Sequence, residues 1–357
     1  MNITSKPKVL ITGVSGYIGS YVCKVFLEHG GFNVRGTVRS LDNIGKIQPL
    51  RNGYGEDLFS QLELVEADLM DEESIMIAAE GCKYIVHTAS PVCDLSTVFE
   101  NEDEIIKPAV DGTVAVMKAA RKNKVKKVVI TSSTAAVAGM NLNSDKIFTE
   151  EDWTDINEER LPTYLKSKTL AERAGWDYIA ELPKDEKFQL VTINPGIVTG
   201  PTISTSSESI DLGKNLLLGI MPMLPKLKIS FVDIRNVSQA HLEAVLRDEA
   251  DNKRFILCAE TRDFIDFSKA LEEKFGKDYP IKAREMPKII PMVMRFWNPQ
   301  MALVYKGWGK GCECSGNRAT EILGIDYIGV EKSMMDMGES LIATGCIEDK
   351  RTTTTVA

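Results

Sequence analysis

Between Lys8 and Ser20 the chain reads KVLITGVSGYIGS. Lys8–Thr12 is an apolar run of strand length, and Gly13, Gly16 and Gly19 follow at intervals of three. A helical pattern then begins, with Tyr17, Val22, Phe26 and Leu27 apolar and Lys24, Glu28 and His29 polar. Residues without Cβ let a backbone turn tightly and approach a ligand. The N–H groups and positive dipole end of the following helix then hold an anion such as a pyrophosphate. A glycine repeat alone also fits an ordinary strand-to-helix turn. The strand before it and the helix after it favour a dinucleotide site, with Thr12, Gly13, Gly16, Tyr17, Ile18 and Gly19 as its candidate residues.

At 357 residues the chain is one large domain or two modest ones. Its net charge of −8 argues against a nucleic-acid groove or a membrane-surface patch. The seven cysteines are scattered and without metal spacing, and Cys312-x-Cys314 is too close for a zinc knuckle. Free thiols in a reducing, cytoplasmic compartment are expected, with no metal. The N-terminus MNITSKPK has no apolar core of a signal peptide. The longest apolar run, Leu216–Leu224, is too short to span a bilayer. Residues 346–357 read as a frayed tail.

Along the chain, strands alternate with helices. Phe32–Arg39 is a second strand, and in a nucleotide-binding sheet its end faces the adenosine ribose. A guanidinium at Arg39, with Lys46 seven residues on, suits the 2′-phosphate of NADP. Asp42 is the dissenting residue, since a carboxylate there would select NAD. Leu62–Ala67 is a third strand. Asp68 is placed either to meet adenine or to cap the next helix, and Leu69 to cover the ring. Tyr84–Thr88 is a fourth strand leading into Ala89, Ser90 and Pro91. Thr88, Ala89 and Ser90 bring small residues close to a cofactor, and His87 reads as a core histidine. Ile105–Lys122 is an amphipathic helix with Ile106, Val110, Val114 and Met117 on one face. The basic run Arg121–Lys127 reads as its solvated end. Val128–Thr131 is a fifth strand, with Ser132 and Ser133 at its carboxyl end. This alternation predicts a doubly wound parallel sheet with ligands at the carboxyl ends of its strands. A helix opens near Leu161, and Leu190–Gly196 forms a sixth strand that includes Pro195. Ile203–Glu208, rich in Ser and Thr, is expected to be a mobile loop. Phe231–Val237 returns to sheet order before a helix to Arg247. The expected division is residues 1–200, with 229–260 returning, as the nucleotide domain. Residues 201–228 and 261–345 form a smaller, mainly helical substrate lobe.

Tyr164 and Lys168 lie four residues apart on the helix, on one face. A phenol near pKa 10 is a poor acid near neutrality. A neighbouring ammonium favours the phenolate and moves it toward the working pH. Lys168 can also bond the nicotinamide ribose. A hydroxyl such as Ser133 would orient a substrate oxygen on which negative charge develops. Lys166 faces elsewhere.

The spacing TGVSGYIG at 12–19 resembles that of extended short-chain dehydrogenases/reductases. With VRGTVRS at 34–40, TASP at 88–91, TSS at 131–133, YLKSK at 164–168, NPG at 194–196 and FVDIRNV at 231–237, the chain resembles the dihydroflavonol 4-reductase-like branch. That branch includes cinnamoyl-CoA reductases and fungal carbonyl and methylglyoxal reductases. The LG, SL and TG pairs at 323–324, 340–341 and 344–345 extend the likeness to nearly the whole chain. The resemblance implies a Rossmann sheet and a catalytic triad of Ser133, Tyr164 and Lys168. Arg39 and Lys46 would bind the 2′-phosphate, Asp68 and Leu69 the adenine, and Pro195 would line the nicotinamide pocket. It implies NADPH-dependent reduction of a small-molecule aldehyde or ketone. Ala138, five residues after Ser133, replaces the amide of flavonoid reductases, and the segment before Tyr164 is not the asparagine-tryptophan motif of cinnamoyl-CoA reductases, so neither of these plant substrates is expected. The alternatives are a sugar-nucleotide epimerase or dehydratase and a non-catalytic dinucleotide sensor. Thr134-Ala135-Ala136 carries no carboxylate of the dehydratase kind.

Overall fold

The computed structural model describes residues 6–90, 102–139, 146–158 and 161–351, with backbone alone for 299 and 300. Pro91 and Cys93 lie outside them. The first part alternates β1 (Lys8–Thr12), α1 (Tyr17–His29), β2 (Asn33–Val38), α2 (Ile44–Tyr54), α3 (Glu56–Phe59), β3 (Leu62–Glu66), α4 (Glu72–Ala78), β4 (Tyr84–His87), α5 (Asp103–Lys122) and β5 (Lys127–Thr131). Then come β6 (Ile147–Phe148), α6 (Thr163–Glu181), β7 (Gln189–Pro195), β8 (Ile197–Thr199), α7 (Glu208–Leu217), β9 (Lys228–Asp233), α8 (Ile234–Leu246) and β10 (Lys253–Leu257). The C-terminal part holds β11 (Glu260–Asp263), α9 (Ile265–Phe275), α10 (Ile289–Met294), α11 (Pro299–Lys306), β12 (Glu313–Cys314) and α12 (Val330–Ala343).

Seven parallel strands form the main sheet in the order β3-β2-β1-β4-β5-β7-β10. Its strands are apolar on both faces because helices cover both. Val9 and Ile11 of β1 pack with Phe26 of α1 and Ala240 of α8. Leu10, between them, points the other way, into a core with Ile75 of α4, Met117 of α5 and Ile179 of α6. This period of two follows from the pleat. The chain steps from β1 to β2 on one side and to β4 on the other. That reversal opens a crevice at the carboxyl ends of β1 and β4, where ligands of such sheets bind. A three-stranded sheet, β11-β9-β8, carries the chain out toward α7, α9 and α12.

Several expectations are corrected. Phe231–Val237 is not one strand of the main sheet. β9 belongs to the small sheet and stops at Asp233, whose carboxylate accepts the Arg235 N–H at 2.8 Å and caps α8. The last main-sheet strand is β10, which no motif announced. Ile203–Glu208 is anchored rather than loose. Ile203 is buried, Ser204 Oγ donates to the Ser15 carbonyl at 3.1 Å, and Thr202 N donates to Ser340 Oγ at 2.6 Å. Lys127 is not a solvated helix end. It is fully buried at the start of β5, where Nζ donates to the Ala244 and Arg247 carbonyls and pairs with Asp251 at 2.6 Å. A buried ammonium persists only with such partners, and here it satisfies the open carbonyls at the end of α8. On α5 the buried stripe runs through Ile105, Ala109, Gly112, Val116 and Met117, while Ile106, Val110 and Val114 are half-buried. Gly112 allows Leu69 to press against the helix. Residues 346–351 are not part of a frayed tail. Ile347 is buried, Lys350 N donates to the Tyr279 hydroxyl, and Arg351 pairs with Glu339.

Candidate active site

The glycine turn sits at the end of β1. Gly13 has φ +71°, and a Cβ there would lie 2.9 Å from the Ala89 Cα. Gly19 is helical, but its Cβ would come within 2.2 Å of the Gly13 carbonyl oxygen and 2.7 Å of Thr88 Oγ1. Its missing side chain lets α1 seat directly on the turn. Gly16 is the N-cap of α1 and makes no side-chain cap bond. The main-chain N–H groups of Tyr17, Ile18 and Gly19 are therefore the open donors of the first turn.

Two predicted side chains turn inward. Thr12 is fully buried, and its hydroxyl is shared between His87 Nδ1 at 2.8 Å and the Ala89 N–H at 3.1 Å. The Tyr17 hydroxyl donates to the Gly200 carbonyl at 2.9 Å, and burial holds its pKa well above the usual phenol value. Neither side chain is offered to a ligand, so only their backbones border the turn. His87 is the core histidine expected. Burial, with Lys168 nearby, pushes its pKa down to about 3.

Thr88 Oγ1 donates to the Thr12 carbonyl at 2.5 Å, which brings residues 88–90 against the turn. Lys168 Nζ then donates to Ser90 Oγ at 2.9 Å and stands 5.8 Å from the Tyr164 ring centre. Gly13, Ala89, Ser90, Lys168 and Tyr164 thus form a continuous series from turn to helix. A narrow cleft beside Lys168 is lined by Leu69, His87, Ser90, Thr131 and Glu172 among others. Tyr164 and Lys168 are half-buried. Lys166 pairs with Glu102 at 2.7 Å on another face of α6.

Ser133 starts the short turn Thr134–Ala136, which packs on α6. Its hydroxyl accepts the Ala135 N–H at 3.1 Å and is not fully buried. Ser132 is different, because its hydroxyl is buried and donates to Glu172 Oε2 at 2.5 Å. Glu172 is the functional residue that motif reading passed over. It follows Tyr164 and Lys168 at eight and four residues, on the same face of α6. Its carboxylate also accepts from Asn194 Nδ2 at 2.7 Å, Thr192 Oγ1 at 3.0 Å and Arg254 Nε at 2.6 Å. Asn194 in turn donates to the Ser133 carbonyl at 3.2 Å. Arg254 is stacked 3.8 Å from Trp153 and donates to the Glu150 and Asp152 carbonyls. Glu172 is a positioning residue. It locks α6 to the strand ends that carry Ser133.

At the end expected to face adenosine, Arg39 is exposed after β2 and has no partner among the described residues. Lys46 Nζ donates to Ser206 Oγ at 2.7 Å, a neutral hydroxyl that leaves its charge uncompensated. Asp42 N donates to Ser40 Oγ. Asp68 does not cap α4. Asp71 does, accepting from Glu73 N and Ser74 N, while the Asp68 carboxylate accepts from Met70 N at 2.9 Å. Leu69 lies in the cleft with Lys168 rather than apart from it. Pro195 is buried at the end of β7, in register with Leu257 of β10. Among the described residues there is no cluster able to hold a metal. No described helix is long and apolar enough to cross a membrane.

Comparison with known proteins points the same way. A family model described as the NAD dependent epimerase/dehydratase family matches residues 9–256. Cinnamoyl-CoA reductase 1 of Arabidopsis thaliana is 31% identical over 341 residues, covering 94% of this chain and 90% of that protein. Anthocyanidin reductase of the same plant is 33% identical, covering 77% of this chain and 82% of its own. Among solved structures, Gre2 of Candida albicans in complex with NADPH superposes with a TM-score of 0.76 at 26% identity, covering 95% of this chain and 99% of that one. The yeast methylglyoxal/isovaleraldehyde reductase Gre2 gives a TM-score of 0.75 at 24% identity, with 95% and 100% covered.

Proposed function

The chain belongs to the NAD dependent epimerase/dehydratase family, the extended short-chain dehydrogenases/reductases, and on that premise we propose that it reduces an aldehyde or ketone with NADPH. It is an oxidoreductase of an NAD(P)-dependent reductase family. The observation that carries the finer reading is the series from Gly13 through Ala89 and Ser90 to Lys168 and Tyr164. That series supports the reading because it joins a phenol and an ammonium to the glycine turn.

The residues present fit the cofactor. The crowding at Gly13 and Gly19, together with the uncapped N-terminus of α1, leaves main-chain donors for a pyrophosphate. Arg39, exposed and without a partner among the described residues, and Lys46, held by a neutral hydroxyl, leave two cations for a 2′-phosphate. The reduced nicotinamide, when bound, supplies the hydride. Tyr164 gives its proton to the substrate oxygen as negative charge develops there. Lys168 favours the phenolate that results and would hold the cofactor's ribose. Ser133 donates to the same oxygen and fixes its direction. Thr134-Ala135-Ala136 places no carboxylate beside that hydroxyl, which favours simple reduction over dehydration of a sugar nucleotide.

The test is NADPH oxidation against a panel of aldehydes and ketones. Tyr164→Phe is expected to cut turnover by roughly a hundredfold or more while leaving NADPH affinity nearly unchanged. Wild-type turnover in that variant would remove the proton-donor role. A requirement for a sugar nucleotide would favour the epimerase reading.

A further inference from the structure

The acidic average of the chain hides one strongly basic segment. Residues 281–310 hold Lys282, Arg284, Lys288, Arg295, Lys306 and Lys310 against the single carboxylate of Glu285, a net of +5 in a chain of −8. All seven side chains are exposed. The segment leaves and rejoins one stretch of backbone. Leu224 bridges to Glu285, and Lys228 to Gly311. Between those two contacts α10 and α11 fold back on each other as a helical hairpin.

The outer face of that hairpin is apolar. Ile289, Met292, Val293, Phe296 and Trp297 are 54%, 36%, 44%, 76% and 66% exposed. Their spacing of three, four, seven and eight places them on one stripe of α10 and the turn that continues it. Pro291 is buried and Ile290 and Met294 are half-buried, so the helix is fixed to the protein by its other side. Such a stripe on a soluble protein marks an interaction surface rather than chance exposure. Arg295 lies 4.9 Å from the Phe296 ring centre and 4.3 Å from that of Tyr305, and Lys288 lies 5.7 Å from the latter. Cations are thereby held at the level of the aromatic rings.

We propose that the α10–α11 hairpin docks this protein on an anionic lipid bilayer, with Phe296 and Trp297 seated in the interface and the surrounding lysines and arginines on the headgroups. Aromatic rings beside cations suit the boundary between acyl chains and phosphates. Juxtaposed Lys and Arg are drawn to a negative leaflet within a Debye length. The charge argues against a second copy on this face, because a two-fold pairing would set Lys288 and Arg295 against their own copies, although Lys306 is paired with Glu158. With −13 left on the other residues, the electric field also orients the protein, hairpin first, toward a negative surface.

The experiment is sedimentation of the full chain with vesicles of phosphatidylcholine alone and of phosphatidylcholine with phosphatidylserine. Three proteins are compared: wild type, Phe296→Ser/Trp297→Ser, and Lys288→Glu/Arg295→Glu. The wild type is expected to sediment with the anionic vesicles only, and to be released as salt is raised. Each double variant is expected to bind at least tenfold more weakly. Both should keep the wild-type melting temperature, because the replaced side chains are exposed. Binding that ignores phosphatidylserine, or wild-type binding in both variants, overturns the proposal. So does a failure to bind either vesicle accompanied by self-association that Phe296→Ser/Trp297→Ser abolishes, which would assign the stripe to a second copy.

Discussion

Replacing Glu172 by glutamine tests how the reactive residues are held. The Glu172 carboxylate is fully buried and, apart from Trp176, has four donors within 3.0 Å: Ser132, Thr192, Asn194 and Arg254. Oε1 receives Thr192 and Arg254, and Oε2 receives Ser132 and Asn194. Glutamine keeps one oxygen and turns an NH₂ toward the other pair, so two donors lose their acceptor whichever way the amide lies. Arg254, 7% exposed, also loses its counter-charge. Breaking one side of a buried ion pair costs about 3–5 kcal/mol. A loss of about 4 kcal/mol lowers the folded-to-unfolded ratio roughly a thousandfold. With an m-value of about 3 kcal/mol/M, the urea midpoint should fall by roughly 1.3 M. Glu172→Gln, Arg254→Met and the double variant form a cycle whose coupling should exceed about 1 kcal/mol. In the folded fraction, turnover should fall more than NADPH affinity, because Asn194 releases its hold on the Ser133 carbonyl. A midpoint within about 0.3 M of wild type, or additive single effects, refutes the ion-pair reasoning. Wild-type kcat in the folded variant refutes the positioning role.

Three other outcomes are expected. Burial lowers the pKa of His87 to about 3 and of His241 to about 4, so the unfolded chain binds protons that the folded one refuses. Stability is then full above about pH 6.5 and falls below it, by at most about 1.4 kcal/mol per pH unit for each ring. Urea midpoints measured across that range should show the slope, His87→Gln should lessen it, and a flat profile would contradict neutral burial. Arg39→Ala should weaken NADPH by roughly tenfold or more and leave NADH nearly unchanged in fluorescence titrations, whereas equal losses would remove the phosphate role. Gly19→Ala should cost about 1–3 kcal/mol and weaken NADPH, because the new methyl meets the Gly13 carbonyl. Unchanged melting and affinity would show that α1 can shift away freely.

The alternation of strands and helices and the glycine turn were legible because they are written in short-range patterns. An apolar run, a turn signal and a helical period each occupy a few adjacent residues. Glu172 was not legible, since four of its partners come from Ser132, Thr192, Asn194 and Arg254, as far as 82 residues along the chain. Its one local sign is a carboxylate in phase with Tyr164 and Lys168. Lys127 misled for a similar reason. Its position beside other cations suggests water, yet the carbonyls that hold it lie at the end of α8. Asp68 and Asp71 both fit a helix cap by spacing, and only backbone geometry separates them. The net charge of −8 does not show where +5 is gathered, because an average carries no positions.

The contact between Gly13 and Ala89 reaches further than the turn itself. Ala89 precedes the serine that holds Lys168, so the backbone proposed to receive the dinucleotide and the side chain proposed to tune the phenol are joined by one short contact series. A bulkier residue at position 89 would touch no reacting atom. It would nonetheless be felt in both cofactor affinity and turnover, and screens that sort variants into binding or chemistry would find that it falls into neither class.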